Sequence, residues 1–186
     1  MIIRDLTNDV HEAVRELILA GFSDTGSEEM ATLLGAEQTI ASIASPGCIA
    51  RIAVEADEVI GLVGGLPGYH GHVFELHPLV VHPSWRRRGV GRALVADLER
   101  QAAQRGASTL WLGTDDEDER TSLGGIDLYP DVLAKLAAVR NLRNHPFEFY
   151  RRVGFVIVGT LPDANGPGKP DIFMAKRLKA ITPVGG

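Results

Sequence analysis

The hydrophobic pattern changes its period in the middle of the chain, and this change limits the folds that the sequence can adopt. Between residues 50 and 81, apolar residues alternate with other residues or form short runs, which predicts strands. Turn residues at 57–58 and 67–72 divide this region into three strands. From Val90 onward, apolar residues recur every four positions, which predicts a helix that ends at Gly106. The sequence therefore predicts an antiparallel meander that is followed directly by a helix.

Helices and a further strand are expected before this meander. Residues 1–7 are predicted as a strand, and two helices follow it. Asn8 is expected to cap the first helix and Gly21 to end it. Ser27 is expected to cap the second helix. Its expected apolar face comprises Met30, Leu33, Leu34 and Ile40.

The segments after the helix complete the prediction. A strand at 109–113 follows it, and this spacing predicts a right-handed βαβ crossover between parallel strands. Residues 114–143 are predicted to be an insertion, with strands at 155–159 and 171–177 after it. We therefore predict an α+β fold in a single domain of residues 1–186. It is expected to have a mixed, mostly antiparallel central sheet, one central βαβ crossover and flanking helices.

The composition argues against several classes of protein. Of the 186 residues, 45% are hydrophobic and 23% are charged, as in an ordinary globular domain. No apolar run approaches the roughly 18 residues of a membrane span, so no membrane association is expected. Met1–Asp5 contains an acid and no long apolar run, and Cys48 is the single cysteine. These features predict a cytoplasmic protein. The net charge of −5 argues against a nucleic-acid partner.

The turn that joins the meander to the helix has the composition of an anion site. It contains four arginines and two glycines, namely Arg86, Arg87, Arg88, Arg92, Gly89 and Gly91. Glycine lets the backbone approach a ligand closely, and the first N–H groups of a helix are unpaired at its positive end. A pyrophosphate would fit this combination. The alternative is a solvated basic run that binds nothing. Val95 stands where a dinucleotide fingerprint would have its third glycine.

Two motifs resemble the GNAT superfamily of acetyl-CoA-dependent N-acetyltransferases. The first is Leu79-x-Val81-x-Pro83-x-x-Arg86-x-x-Gly89-x-Gly91, and the second is Tyr150-x-x-x-Gly154-Phe155. They occur in the family's order. A further similarity to aminoglycoside 6′-N-acetyltransferases rests on residues 110–117 and 162–166.

The resemblance implies that acetyl-CoA is the co-substrate. No metal is expected, because the spacing offers no third ligand beside His70 and His72. The end of the motif strand would pair with the pantetheine arm, and the turn would surround the pyrophosphate with main-chain N–H groups. Many family members have an asparagine seven residues before the tyrosine. Arg143 occupies that position here, and Asn144 is one residue away from it. The implied cofactor contacts are Leu79, Val80, Val81, Arg86, Arg87, Arg88, Gly89, Val90, Gly91, Arg92 and Asn144.

We expect direct transfer of the acetyl group to a primary amine in a ternary complex, because the single cysteine, Cys48, lies before the first meander strand and away from the motif. The resemblance implies a role for Tyr150 in this transfer. Tyr150 would protonate the departing thiolate, since a phenol is protonated at pH 7. Glu75 or His77, on one strand face with Leu79, or a water molecule, would accept the proton of the amine. Each residue has an alternative without a catalytic role. Tyr150 would be a core aromatic, Glu75 a surface charge at the strand end and His77 a partly buried histidine with satisfied hydrogen bonds. Another subgroup carries a glutamate where Gly113 stands.

The acceptor is expected to be a small cationic amine, similar to an aminoglycoside or a polyamine. Residues 114–131 carry seven acidic residues against Arg120 alone, and Asp115 and Asp116 would attract such an amine. The alternative for this stretch is a solvated loop. A protein or peptide amine, or a non-catalytic acyl-CoA sensor, are the alternative functions. Many family members dimerise through their last strands, so a homodimer is an open expectation.

Overall fold

A computed structural model describes residues 1–23 and 31–179. Ser27 and Met30, which were expected in the second helix, lie outside the described residues. The described strands are β1 Ile2–Asp5, β2 Ile49–Glu55, β3 Glu58–Gly68, β4 Val73–Val81, β5 Thr109–Asp115, β6 Val156–Leu161 and β7 Asp171–Arg177. The described helices are α1 His11–Phe22, α2 Leu33–Ile43, α3 Val90–Gln104, α4 Val132–Ala137 and α5 Phe147–Arg152.

These strands form a mixed, mostly antiparallel sheet of order β1-β2-β3-β4-β5-β7-β6, which is flanked by helices. The predicted fold class is therefore confirmed. The chain divides into two compact units. The first comprises residues 1–110 with the segment from Leu178, and the second is Trp111–Arg177. No helix within the described ranges combines the length and the apolar character needed to cross a bilayer.

The first unit is a sheet covered on both faces. β1 to β4 pair antiparallel in sequence order, which confirms the predicted meander. On one face, α1 and α2 contribute to a buried core with Leu62 and Val80. On the other, α3 packs so closely that a Cβ on Gly61 or Gly65 would overlap its leucine side chains. Because both faces are covered, β2 is buried throughout its first five residues except Ala50.

Arg51 shows how a charged residue is accommodated in that buried strand. Its Nε donates to the Asp97 carboxylate of α3 at 2.6 Å, and its Nη1 donates to Asp5 of β1. Arg51 is 8% and Asp97 6% exposed. An unpaired buried charge is costly, so these partners allow a guanidinium to lie between strand and helix.

The pairing of β3 with β4 contains a β-bulge at the middle of β4. Val63 is opposite Leu79 and Gly65 is opposite Leu76, so β4 has one extra residue in this interval. A Cβ on Gly64 would overlap the carbonyl oxygen of His77. The bulged strand therefore requires glycine opposite it, and Gly64 meets this requirement.

The second unit contains β5 from Trp111 onward, together with β6, β7, α4 and α5. β6 pairs antiparallel with β7, and Trp111 of β5 packs edge-on against Phe173 of β7, with 6.0 Å between the ring centroids. The insertion of residues 114–143 lies here. Its two ends approach each other, because Thr121 and Asn141 form an antiparallel bridge.

Three local expectations in the first helices are wrong. α1 continues to Phe22, so Gly21 lies within it and does not end it. The close approach of Val80 requires glycine there, because a Cβ would overlap the Val80 side chain. Asn8 begins a short 3₁₀ turn, Asn8–Val10, and the N-cap of α1 is Val10. In α2, Leu33 and Leu34 are 63% and 68% exposed, so they do not form its buried face. The buried side of α2 comprises Gly35, Ala36, Thr39, Ile40 and Ile43.

Candidate active site

One face of β4 carries the residues expected to act on the substrate amine. The exposure of β4 alternates along its whole length, and Phe74, Leu76, Pro78 and Val80 form its buried side. Glu75, His77, Leu79 and Val81 are half-buried on the other side, as the period of two predicted. The Val80 side chain belongs to the core, so only its backbone can contact a ligand.

Glu75 lies in an environment that shifts the pKa of its carboxyl group. Burial raises the pKa of Glu75, and the neighbouring His77 opposes this shift by its charge. In its ionised form, a carboxylate with a raised pKa is a stronger base than an exposed carboxylate.

The turn between β4 and α3 leads into the first backbone N–H groups of α3. Arg87 and Gly89 have left-handed backbones, with φ of 61° and 89°, and Gly89 is the N-cap of α3. The first helical hydrogen bond joins the Ala93 N–H to the Gly89 carbonyl at 3.0 Å. The N–H groups of residues 90–92 therefore precede the helical ladder and lie at its positive end. This geometry fits a pyrophosphate.

The arginines of this turn fall into two groups. Arg87, Arg88 and Arg92 are exposed, and the Arg88 guanidinium lies 5.0 Å from the centre of the Trp85 ring. Arg86 is half-buried. Its Nη2 donates to the Gly21 carbonyl at 2.8 Å and its Nε to the Val81 carbonyl at 3.4 Å. Arg86 thus connects the turn to the end of α1, a role that its place in the motif did not indicate.

Tyr150 lies in the second unit, on α5. Its ring packs edge-on against Phe149 and Phe155, at centroid distances of 5.2 and 5.8 Å. Burial raises the pKa of Tyr150, so the phenol keeps its proton throughout the neutral range. No side-chain hydrogen bond of Tyr150 is found among residues 1–23 and 31–179. The hydroxyl is therefore protonated and not committed to another described residue.

The two adjacent aspartates at the end of β5 occupy different environments. Asp115 is exposed, and its Oδ1 accepts from the Asn165 side chain at 2.5 Å. Asp116 has an exposed fraction of 0%. Its carboxylate accepts from the Arg120 N–H at 2.6 Å, and from the Thr121 N–H and hydroxyl at 2.9 and 2.7 Å. Asp116 therefore holds the following turn, and the expectation that it would contact a substrate is corrected.

The segment before α5 is held by Arg120. Its Nε donates to the Arg143 carbonyl at 3.0 Å and its Nη2 to the Asn144 carbonyl at 2.8 Å. Asn144 is exposed and has a left-handed backbone with φ of 53°. The structure thus fixes the backbone of Asn144, and its side chain faces solvent.

The position of Gly113 is occupied from the neighbouring strand. A Cβ on Gly113 would come within 3.0 Å of the Asp171 carboxyl carbon of β7. A larger residue at position 113 would have to displace that carboxylate. Within the described residues, no group of three or more histidine, cysteine or acidic side chains is placed to hold a metal ion.

The implied residues divide between the units. The β4 face and the phosphate turn lie in the first unit, whereas Asp115, Asn144 and Tyr150 lie in the second. His145, which the sequence did not single out, is 1% exposed in the second unit. The motif spacing indicated the adjacent Asn144, but only the packing shows that His145 is buried.

Comparison with known proteins agrees with the two motifs. The model of the acetyltransferase (GNAT) family matches residues 11–129. The crystal structure of an aminoglycoside 6′-N-acetyltransferase from Enterococcus faecium is 39% identical, with a TM-score of 0.85 over 98% of this chain and 99% of that one. An aminoglycoside 6′-N-acetyltransferase complexed with coenzyme A is 38% identical, with the same TM-score and the same coverage.

Curated sequence relatives match over a shorter range. An acetyltransferase of Photorhabdus laumondii is 36% identical over 70 residues, which are 38% of this chain and 48% of that protein. The match therefore spans about half the length of this relative. An acetyltransferase of Sodalis glossinidius is 42% identical over 55 residues, which are 30% of this chain and 37% of that protein. The chain belongs to the GNAT acetyltransferase family, as the two sequence motifs predicted.

Proposed function

We propose that this protein transfers the acetyl group of acetyl-CoA to a primary amine of a small cationic acceptor, similar to an aminoglycoside or a polyamine. The observation that carries this proposal is the 39% identity to an aminoglycoside 6′-N-acetyltransferase over 98% of the chain. A fold alone does not fix an activity, but this identity extends over nearly the full length of the chain and includes the segments after Gly113.

The turn at residues 86–92 is proposed to bind the pyrophosphate of acetyl-CoA. The left-handed backbones of Arg87 and Gly89 and the first N–H groups of α3 support this role. The exposed guanidinium groups of Arg87, Arg88 and Arg92 add positive charge. Arg86 supports the turn through the Gly21 and Val81 carbonyls. We expect the backbone of residues 79–81 and the exposed Asn144 to contact the pantetheine arm.

In the proposed reaction, the amine nitrogen attacks the thioester carbon, and the bond from that carbon to the CoA sulfur then breaks. The Glu75 carboxylate accepts a proton from the amine, with His77 or a water molecule as the alternative acceptor. The Tyr150 hydroxyl donates its proton to the departing thiolate, which leaves as free CoA. The raised pKa values of both groups, which burial causes, support these assignments.

Direct transfer is favoured over an acetyl-cysteine intermediate. Burial raises the pKa of the single cysteine, Cys48, so little of the nucleophilic thiolate is present near neutral pH. A Cys48→Ala variant should therefore keep its turnover. Loss of turnover in a folded C48A protein would establish a covalent route instead.

A panel of amines tests the proposed function. Release of free CoA thiol would be followed with aminoglycosides, linear polyamines and peptides with free N-termini, and acetylated products would be identified by mass. We expect turnover with polycationic small molecules. Turnover with peptides alone would make the protein a peptide N-acetyltransferase. CoA binding without turnover on the whole panel would make it a non-catalytic acyl-CoA sensor. A homodimer stays a prediction that sedimentation can test.

A further inference from the structure

One buried histidine of the second unit connects the end of β5 to the start of α5. The Nε2 atom of His145 lies 2.9 Å from the carbonyl oxygen of Asp115, and its Nδ1 atom lies 3.3 Å from the backbone nitrogen of Phe147. Asp115 is the last residue of β5, and Phe147 is the first residue of α5. A single imidazole ring therefore bridges the two elements.

These two contacts determine the protonation state of the ring. The Phe147 N–H can only donate, so Nδ1 must accept, and the Asp115 carbonyl can only accept, so Nε2 must carry the proton. An imidazolium would instead direct an N–H at the Phe147 N–H. Burial lowers the pKa of His145, which agrees with a neutral ring. Asp115 and Asp116 oppose this shift, and Arg120 acts in the same direction as burial.

The backbone of His145 is held as firmly as its ring. The Asn141 side chain accepts from the His145 N–H and donates to its carbonyl, both at 2.9 Å. Asn141 forms an antiparallel β-bridge with Thr121. The Thr121 hydroxyl donates to the Asp116 carboxylate at 2.7 Å. The backbone that carries the ring is therefore held in place while the ring contacts both β5 and α5.

We propose that neutral His145 is a positioning residue for Tyr150. It caps the first N–H of α5 and ties this six-residue helix to the end of β5. The N–H of Tyr150 lies 3.3 Å from the carbonyl of Pro146, the residue that follows His145, so a displacement of this start moves the phenol. The inference rests on the proposed function, in which Tyr150 protonates the thiolate. Protonation of His145 removes the acceptor of the Phe147 N–H, so kcat must fall at acid pH.

Two substitutions separate the two contacts. His145→Asn keeps an acceptor near the position of Nδ1 and cannot titrate, whereas His145→Gln places an amide near Nε2 and leaves the Phe147 N–H without its acceptor. We expect kcat of H145Q to fall by about 10², because small displacements of a catalytic group have effects of this size. H145N should keep most of kcat at neutral pH. Neither change should alter KM for acetyl-CoA appreciably.

The pH dependence distinguishes positioning from a merely structural role. The ratio of kcat between H145N and the wild type should stay constant down to the ordinary histidine pKa of 6.5 and should rise at the lower pH where the spectra described below show His145 becoming charged, because only the wild type loses the neutral ring. His70→Asn is the matched control, since His70 is exposed at the tip between β3 and β4. Its ratio to the wild type should stay constant. A constant ratio for H145N as well would overturn the inference.

A double-mutant cycle tests whether His145 acts through Tyr150. In a Tyr150→Phe background the hydroxyl to be positioned is already absent, so adding H145Q should cause little further loss of kcat. Losses that multiply fully in the double variant would overturn the inference, because they would show that His145 acts independently of the phenol.

A measurement on the wild type is independent of activity. Long-range ¹H–¹⁵N spectra should show one histidine as the Nε2–H tautomer that is still neutral below the ordinary histidine pKa of 6.5. A His145 that is charged at pH 7, or that carries its proton on Nδ1, would overturn the inference whatever the activity. Failure of the wild type to acetylate any amine overturns the proposed function instead. An active wild type with unaltered H145Q kinetics overturns only the role of His145.

Discussion

The hydroxyl of Tyr150 is the group whose removal should affect turnover most selectively. Burial raises the pKa of Tyr150, so its phenol stays protonated and can donate to the thiolate. We expect Tyr150→Phe to lower kcat by about 10²–10⁴, the usual contribution of a positioned proton donor. The ring contacts with Phe149 and Phe155 should persist, so the Kd of acetyl-CoA in calorimetry should hardly change.

Tyr129 provides the matched control for this substitution. It belongs to the same unit and is 59% exposed, so Tyr129→Phe removes a hydroxyl that no proposed step uses. Its kcat should equal that of the wild type. Equal kcat values for the Tyr150 and Tyr129 variants would show that the thiolate leaves without protonation by Tyr150.

Glu75→Gln should affect the rate in a manner that depends on pH. Because burial raises the pKa of Glu75, the wild-type acid limb of kcat/KM should lie above the ordinary glutamate range. The variant should be slow near neutral pH, where the acceptor is an ammonium, and should recover as the pH approaches the pKa of the amine. The pH profile of kcat/KM measures this recovery.

Glu58→Gln removes an exposed carboxylate at the first residue of β3 and should leave the profile unchanged. If E75Q instead loses activity equally at every pH, Glu75 binds the charge of the acceptor and does not take its proton.

The sequence predicted the common face of Glu75 and His77, because strand alternation is a local property of the chain. It did not separate Asp115 from Asp116, since both stand in one acidic run and only folding buries the second beneath Thr121. It also missed His145, whose role depends on a carbonyl thirty residues earlier in the chain. Partners that are distant in sequence leave no local pattern.

At the scale of elements, α3 has a glycine with a left-handed backbone at each end. Gly89 precedes it with φ of 89°, and Gly106 follows it with φ of 86°. Neither position has any atom within 4 Å of an added Cβ. Alanine at either position should therefore cost about 1–2 kcal/mol through backbone strain alone. Thermal unfolding should show similar losses of stability for Gly89→Ala and Gly106→Ala.

These two variants should differ in cofactor binding. Only Gly89 positions the N–H groups of residues 90–92, so G89A should weaken CoA binding in calorimetry while G106A leaves it unchanged. Equal CoA affinities in both variants would show that the phosphates of CoA do not bind at this turn.

The strands were predicted closely, whereas the reasons for their glycines were not. β4 begins and ends at the predicted residues, because its alternation is strong. Gly21 was interpreted as a helix end, but it lies within α1. The reason for the glycine is the close approach of the Val80 side chain. Gly64 carried no interpretation, although the bulge of β4 requires it. A glycine that permits close packing has no signature until its neighbour is known.

The charge distribution of the whole molecule should influence how fast the acceptor arrives. The chain has a net charge of −5, and the exposed carboxylate of Asp115 is proposed to attract a cationic amine. Attraction between exposed charges is screened beyond about 8–10 Å at physiological salt, so kcat/KM should fall as ionic strength rises. Asp115→Asn should flatten this dependence and leave the Kd of acetyl-CoA unaltered.

Asp57→Asn separates a local effect from one of net charge. Asp57 is exposed in the turn between β2 and β3, and its left-handed backbone with φ of 65° suits asparagine. Both variants lose one negative charge, so a dependence on net charge alone would change equally in the two. We expect D57N to keep the wild-type salt dependence of kcat/KM, because steering depends on where a charge lies relative to the acceptor. Identical salt profiles for D115N and the wild type would leave Asp115 as a solvated residue that hydrogen-bonds only Asn165.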